Sequence, residues 1–269
     1  MPTGSRSNHT AWAGETLRYM AWISRVSALQ DRLRPGSTVR TSAMYETRHQ
    51  FREDLKELER QTLGDIDLVV GQLDRALASV SSHDIELAEL VIAAAERIDR
   101  RYLEVHQGVF LLLARQAPVA SDLRIVAALL HISGCIERMG AQCANIAKLV
   151  PLSGDRRPKD KQLLEAIERM GQLARHEVTQ AKDAFMRRDA TLAADLVAKD
   201  AGIARLNREL FNRAVEIGDD IDVREWAMFM ILIARALERI ADNAVAIAEQ
   251  TVFVVTGLFR EFTDPSRFT

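Results

Sequence analysis

The chain has 269 residues, of which 48% are hydrophobic and 28% are charged, and its formal net charge is −2. This length and composition are typical of a globular protein with two domains of ordinary size. Residues 1–40 hold six arginines against two acids, a net charge of +4, which leaves −6 for the remainder. The chain therefore lacks the broad basic field of a nucleic-acid-binding protein. Its longest apolar run, Trp226 to Ala234, has nine residues, too few for the roughly 20 that span a bilayer.

The first 40 residues precede the helical patterns and contain Trp12 and Trp22. The stretch Leu17–Leu33 is compatible with a short basic amphipathic helix lying on a membrane surface, but it lacks the continuous apolar core of a signal peptide. We expect residues 1–40 to be a poorly ordered extension, or the product of translation begun upstream of the natural start.

Six long helical patterns follow, and the prolines of this region fall between them rather than inside them. A polar stretch from Pro151 to Asp160 separates the first three patterns from the last three. Short internal connections imply antiparallel neighbours. The sequence therefore predicts an all-α fold of two tandem antiparallel three-helix bundles, residues 41–150 and 160–259. The six predicted helices are 45–80, 84–116, 122–150, 160–187, 189–217 and 222–259.

The third and sixth patterns repeat one another. Residues 135–150 (CIERMGAQCANIAKLV) align without a gap on residues 236–251 (ALERIADNAVAIAEQT), at an offset of 101. The second helices align best at an offset of 105. A period of this length indicates a duplicated small domain rather than a solenoid repeat. Ser121 and Asp222 align at the offset of 101 and are predicted to cap these helices.

Both repeated helices contain a heptad pattern of apolar residues, which we call the seam. Its four-three spacing predicts packing between helices at shallow angles. The seam of the first copy is Ile125, Leu129, Ile132, Ile136, Met139, Cys143, Ile146 and Val150, and that of the second is Trp226, Met230, Ile233, Leu237, Ile240, Ala244, Ile247 and Thr251. Met139, Cys143 and Met230 are accordingly interpreted as core residues rather than redox groups.

Acidic residues lie opposite the seam, where they are candidates for metal binding. Glu238 and Asp242 are one helical turn apart, and hard cations prefer carboxylate oxygens. Arg235 and Arg239 each precede one of these acids by three residues, so ion pairing is the alternative interpretation. The first copy has Glu137 at the equivalent position.

No catalytic site is predicted. The chain contains no P-loop, nucleophile elbow or dinucleotide fingerprint, and its histidines form no ligand-spaced pair. Cys135 and Cys143 are eight residues apart on one predicted helix, a rise of about 12 Å, which is too far for a disulfide. They are expected to be free thiols in a reducing compartment.

The segment LERIADNAVAIAEQTVFVVTG at 237–257 closely resembles the third-helix signature of PhoU proteins. CIERMGAQCANIAK at 135–148, preceded by PVASDLRIV at 118–126, resembles the same signature in the first repeat. The resemblance covers about residues 41–259. It implies a cytoplasmic, non-enzymatic protein of two three-helix bundles that commonly dimerises. The implied function is negative regulation of phosphate uptake and of the phosphate-starvation response, as an adaptor between the phosphate-specific ABC transporter and a sensor histidine kinase.

Some PhoU proteins bind metal through an acidic residue followed four residues later by aspartate. Glu238 and Asp242 match this motif, whereas Ala141 follows Glu137 in the first copy. On the second helices, Asp200 aligns with Ala95. The resemblance therefore implies that a divalent or iron-type metal ion would belong to the second bundle. The alternative function is a metal-binding bundle protein, or a metal-dependent enzyme, that uses Glu238 and Asp242. A bundle protein with some other partner is a third possibility.

Overall fold

The computed structural model describes residues 40–115, 118–154, 160–199, 201–218 and 220–258. The predicted extension at residues 1–40 lies outside these ranges except for Arg40. The described part contains seven α-helices and one short 3₁₀ turn, and no strand. They are α1 (Arg40–Ser82), α2 (Ile85–Arg115), α3 (Ala120–Leu149), the 3₁₀ turn Pro151–Ser153, α4 (Lys161–Arg187), α5 (Ala190–Lys199), α6 (Ala201–Glu216) and α7 (Ile221–Thr256).

The all-α fold of two tandem helical bundles is confirmed. Helices α1, α2 and α3 pack together, and so do α4, α5, α6 and α7. The predicted helix 189–217 is described as α5 and α6, on either side of residue 200. All seam residues are buried except Ile125, which is partly buried. The two cysteines are free and buried.

The helix ends show the duplication in their hydrogen bonds. Asp84 Oδ1 accepts from Leu87 N at 2.9 Å, and Asp189 Oδ1 accepts from Leu192 N at 2.9 Å. The residue before each cap is left-handed, with φ of 52° at His83 and 54° at Arg188. These two sites are 105 residues apart, the offset at which the second helices align.

Both predicted caps of the third helices were wrong. Val119 is the N-cap residue of α3 and makes no side-chain cap bond. Asp220 caps α7, and its carboxylate accepts from the backbone N–H of Asp222 and Val223. Both helices begin earlier than Ser121 and Asp222 imply, because the helical pattern continues through these residues. The observed caps are nevertheless 101 residues apart, as in the alignment.

The two bundles share one hydrophobic core, to which all seven helices contribute. Helix α3 packs on α7, and α1 packs on α4. Along α1 and α4, acids of α1 pair with bases of α4 at intervals of about two helical turns, an arrangement we call the α1–α4 ladder. Its contacts are Asp74 with Arg175 at 2.9 Å, Asp67 with Lys182 at 2.6 Å and Glu59 with Arg188 at 2.7 Å. Ser81 Oγ continues the register by donating to Glu168 at 2.9 Å.

Candidate functional site

The two signature helices, α3 and α7, lie antiparallel against each other between the bundles. Arg138 Nε donates to Asn243 Oδ1 at 2.9 Å, and Arg138 Nη2 contacts Cys135 Sγ at 3.2 Å. Near the other end of the pair, Arg124 of α3 lies against Gly257 of α7. The signature arginine of the first copy therefore joins the two bundles and does not point outward to a ligand.

Glu238 lies between α7 and α6, with its side chain 25% exposed. Its Oε2 accepts from the guanidinium of Arg235, one turn earlier on α7, and from Asn207 Nδ2 of α6 at 3.2 Å. Arg235 was anticipated from the sequence as a neighbour, whereas Asn207 was missed because it lies on another helix. Sequence alone could not identify Asn207 as a partner of Glu238, because that contact depends on how α6 packs on α7.

The other predicted metal ligands are dispersed or lie outside the described structure. Asp242 is exposed one turn beyond Glu238, Glu137 is half-buried on α3, and Asp200 lies outside the described residues. Among the residues that the structure describes, no group of three or more His, Cys, Asp or Glu side chains is arranged to hold a metal ion. Glu238 and Asp242 are the two described acids of the motif, and Glu238 already has a guanidinium as its counter-charge.

Burial shifts the pKa values of the two thiols of α3 and of two histidines, one on α2 and one on α3. Burial raises the pKa of the Cys143 thiol to about 12 and that of Cys135 to about 11, although Arg138 lowers the latter in part. Burial also lowers the pKa of His106 and of His131. A buried thiol with a raised pKa is a poor nucleophile. Neither Cys135 nor Cys143 is therefore a candidate nucleophile in the folded chain.

No described helix is long and apolar enough to cross a membrane. The most distinctive properties of the described chain are thus its duplicated bundle, the Glu-Arg pair in each copy and the antiparallel α3–α7 contact.

Solved structures share this architecture. The crystal structure of the phosphate transport system regulatory protein PhoU from Streptococcus pneumoniae superposes with a TM-score of 0.73 and 29% identity, over 79% of this chain and 100% of that one. PhoU from Pseudomonas aeruginosa gives a TM-score of 0.69 and 27% identity, over 77% and 100% of the two chains.

Curated relatives agree with the structural matches. The phosphate-specific transport system accessory protein PhoU homolog 1 of Mycobacterium leprae is 30% identical over 217 residues, which cover 78% of this chain and 95% of the relative. The PhoU homolog of Streptococcus pneumoniae is 31% identical over 213 residues, which cover 78% and 97%. The model of the PhoU domain family matches twice, at residues 66–150 and 167–251. These two matches are 101 residues apart, the offset found in the sequence, and the chain belongs to the PhoU family.

Proposed function

We propose that this chain is a negative regulator of phosphate uptake and of the phosphate-starvation response. It acts as a non-enzymatic adaptor between the phosphate-specific ABC transporter and a sensor histidine kinase, on the cytoplasmic side of the membrane and as a homodimer. The observation that supports this most is the match of both repeats to the PhoU domain, together with relatives named as accessory proteins of phosphate-specific transport.

The described structure has surfaces that could bind partner proteins. These surfaces are helix faces, and large exposed apolar side chains lie on several of them, among them Phe110, Phe211 and Leu232. An adaptor regulates by binding one state of its partner more tightly than another. The proposal therefore requires higher affinity for the phosphate-replete, inactive states of the transporter and the kinase.

Affinity purification of the tagged chain from phosphate-replete cells tests the partners directly. Transporter and kinase components are expected to co-purify, with recovery reduced in starved cells, which are the matched control. Light scattering of the purified chain gives its oligomeric state. Absence of both components from replete cells would contradict the adaptor role.

Phosphate transport by whole cells tests the direction of regulation. Deletion of the gene is expected to raise uptake of radiolabelled phosphate in replete medium, and re-expression of the chain is expected to lower it again. Unchanged uptake in the deletion strain would argue against negative regulation.

Metal binding by Glu238 and Asp242 stays a prediction with its own test. A cation on this pair would have to compete with Arg235 for the Glu238 carboxylate. Elemental analysis of the purified chain and of Asp242→Ala measures it. Stoichiometric metal that is lost in the variant would support the site, and turnover of a phosphate ester in addition would replace the adaptor proposal by an enzymatic one.

A further inference from the structure

The duplication allows the groove between the second and third helices to be compared in the two bundles. Core residues of α2 reappear on α5 and α6 at the offset of 105, so that Ile98 corresponds to Ile203 and Val105 to Leu210. On α3, Gly140 faces Ile98 of α2, whereas Arg138 contacts α7. Glu137 precedes Gly140 by almost one turn and lies on the α2 side of α3.

In the second bundle, the chain itself supplies a partner for the carboxylate in this groove. Arg235 and Asn207 both donate to Glu238. The equivalent positions in the first bundle are Gly134 and Tyr102, at offsets of 101 and 105. Neither of these side chains can take over the role of the guanidinium, because Gly134 has none and Tyr102 is uncharged.

Glu137 consequently lacks the counter-charge that its copy has. In the described residues it makes no hydrogen bond and no ion pair, although it is half-buried. A Cβ atom added at Gly134 would meet only Arg138 Nη1, at 3.4 Å, so the surface one turn before Glu137 is open. A half-buried carboxylate without a partner loses part of its hydration and gains nothing in return.

Aromatic and aliphatic side chains line much of this groove. On α2, Tyr102 and His106 have ring centroids 4.2 Å apart, and Phe110 packs edge-on against His106 at 6.3 Å. On α3, the outward stripe contains Leu123, Ala127 and Leu130 before Gly134 and Glu137. The α7 equivalents of Leu123 and Gly134 are Arg224 and Arg235, so the corresponding face of the second bundle is charged.

We propose that the groove between α2 and α3 binds an amphipathic helix of a partner protein, which places an arginine from its apolar face on Glu137. The second bundle shows the same contact made within one chain, between Glu238 and Arg235. Aromatic and aliphatic side chains beside a half-buried acid match an amphipathic helix that has one cation among apolar residues. Arginine suits a half-buried carboxylate better than lysine does, since its fork donates to both oxygens and is more weakly hydrated.

This inference goes beyond the proposed function, because it specifies a surface and the chemistry of its occupant. The groove needs a protein partner, but that partner need not be the transporter or the kinase. Any partner must present a helix with a basic residue on an apolar face.

Site-specific photo-cross-linking in cells tests the groove, whichever protein supplies the helix. Benzoylphenylalanine replaces Leu103, which is 51% exposed on α2 near the aromatic wall. The matched control carries it at Arg208, the equivalent position in the second bundle. Cross-linked peptides are sequenced by mass spectrometry, so that the captured segment and not merely the captured protein is identified.

Three variants then separate charge from shape. Glu137→Gln removes the charge and keeps the size, Gly134→Arg supplies the counter-charge from within the chain, and Gly134→Ala adds a methyl group without charge. The first two are expected to lower the cross-linked yield at least about tenfold, as the loss of a buried charge pair does, while Gly134→Ala retains it. Glu137 makes no ion pair among the described residues, and a Cβ atom at Gly134 would meet only the flexible guanidinium of Arg138, so all three chains are expected to keep the thermal midpoint of the wild type within a few degrees.

A captured segment that is amphipathic, contains arginine or lysine, and is lost in the first two variants supports the proposal. Capture of lipid, of a second copy of this chain or of a segment without a basic residue overturns it. The proposal is also overturned if Glu137→Gln gives the same cross-linked yield as the wild type. It is overturned as well if the probe at position 103 gives no higher yield than the probe at position 208. A basic helix from a protein other than the transporter or kinase would uphold the groove while contradicting the proposed partners.

Discussion

Gly171 illustrates how a single residue fixes the approach of two helices. A Cβ atom at this position would lie 2.4 Å from Leu77 Cδ1 and 2.7 Å from its Cδ2, so the whole isopropyl group would have to move. Gly171 is buried on α4, and Leu77 belongs to α1 of the other bundle. The absence of a side chain therefore determines how closely α1 and α4 pack.

A matched pair of glycine substitutions tests this packing. Gly171→Ala is expected to lower the free energy of unfolding by about 1–2 kcal/mol, because overpacking outweighs the gain in helix propensity. Gly64→Ala, on the exposed side of α1 with nothing within 4 Å of the new methyl group, is expected to raise it by about 0.5–1 kcal/mol. Urea denaturation measures both, and a stabilising Gly171→Ala would show that α1 and α4 separate easily.

The two buried thiols provide a second test at the residue scale. Because burial raises the pKa of Cys143 to about 12 and that of Cys135 to about 11, neither is expected to react with a disulfide reagent at pH 8 while the chain is folded. Both are expected to react promptly in urea. Rapid labelling of the folded chain would mean that α3 opens locally.

At the scale of elements, the buried face of the two repeated helices α3 and α7 was predictable from sequence, and their N-caps were not. The seam follows from periodicity alone, since apolar side chains at heptad spacing must be buried on one face. Ser121 and Asp222 failed as caps because the residues before them are compatible with helix, and Asp220 forms the stronger cap for α7. Capping depends on which backbone N–H groups are free, which the pattern does not specify.

Around the candidate residues, contacts within one helix were predictable from sequence and contacts between helices were not. Glu238 and its neighbour Arg235 lie on one helix, where spacing determines contact. Asn207 reaches Glu238 from α6, and the isolation of Glu137 depends on Gly134 and Tyr102 from two helices. Contacts between helices depend on packing that a single sequence does not reveal.

The contact between α1 and α2 includes a buried ion pair with a pH-dependent contribution. Asp65 Oδ1 accepts from Arg101 Nε at 2.8 Å, and the side chain of Asp65 is only 5% exposed. Burial raises the pKa of Asp65 above its usual value, against the lowering effect of Arg101. An acid with a raised pKa binds its proton more tightly in the folded state. Its stabilising contribution is therefore complete below the unfolded pKa and is lost as the pH rises through the folded pKa.

Arg101→Met is expected to destabilise the fold by about 3 kcal/mol at pH 7, because it leaves the Asp65 carboxylate buried without its partner. The loss relative to wild type is expected to shrink at pH 4, because burial raises the pKa of Asp65 and removal of Arg101 takes away a group that lowers it, so that the neutral carboxyl group is favoured. Urea denaturation of both chains at the two pH values measures the difference. The double variant Asp65→Asn with Arg101→Met is the control and is expected to recover most of the stability at pH 7. A loss that does not change with pH would assign the effect to packing of the arginine stem instead.

At the scale of the whole molecule, the common core implies that the two bundles unfold together. Phe185 of α4 is fully buried in the core shared by all seven helices. Phe185→Ala is expected to cost about 3–5 kcal/mol, and the loss should appear in both halves. Hydrogen exchange measures it, with amide protection in α1–α3 expected to fall as much as in α4–α7. Reduced protection confined to α4–α7 would show that the bundles are independent folding units.

The α1–α4 ladder selects both the partner helix and its alignment. All of its acids are on α1 and all of its basic partners are on α4, which favours this pair of helices over a pairing of either with its own kind. A slip of seven residues would keep only one of the three ion pairs, because Asp74 would lie opposite Lys182 while Asp67 would lie opposite Asp189. The fit of Leu77 over Gly171 marks the same alignment by shape. A shift between the bundles would therefore cost charge pairing and packing together, and any surface composed of both would lose its shape.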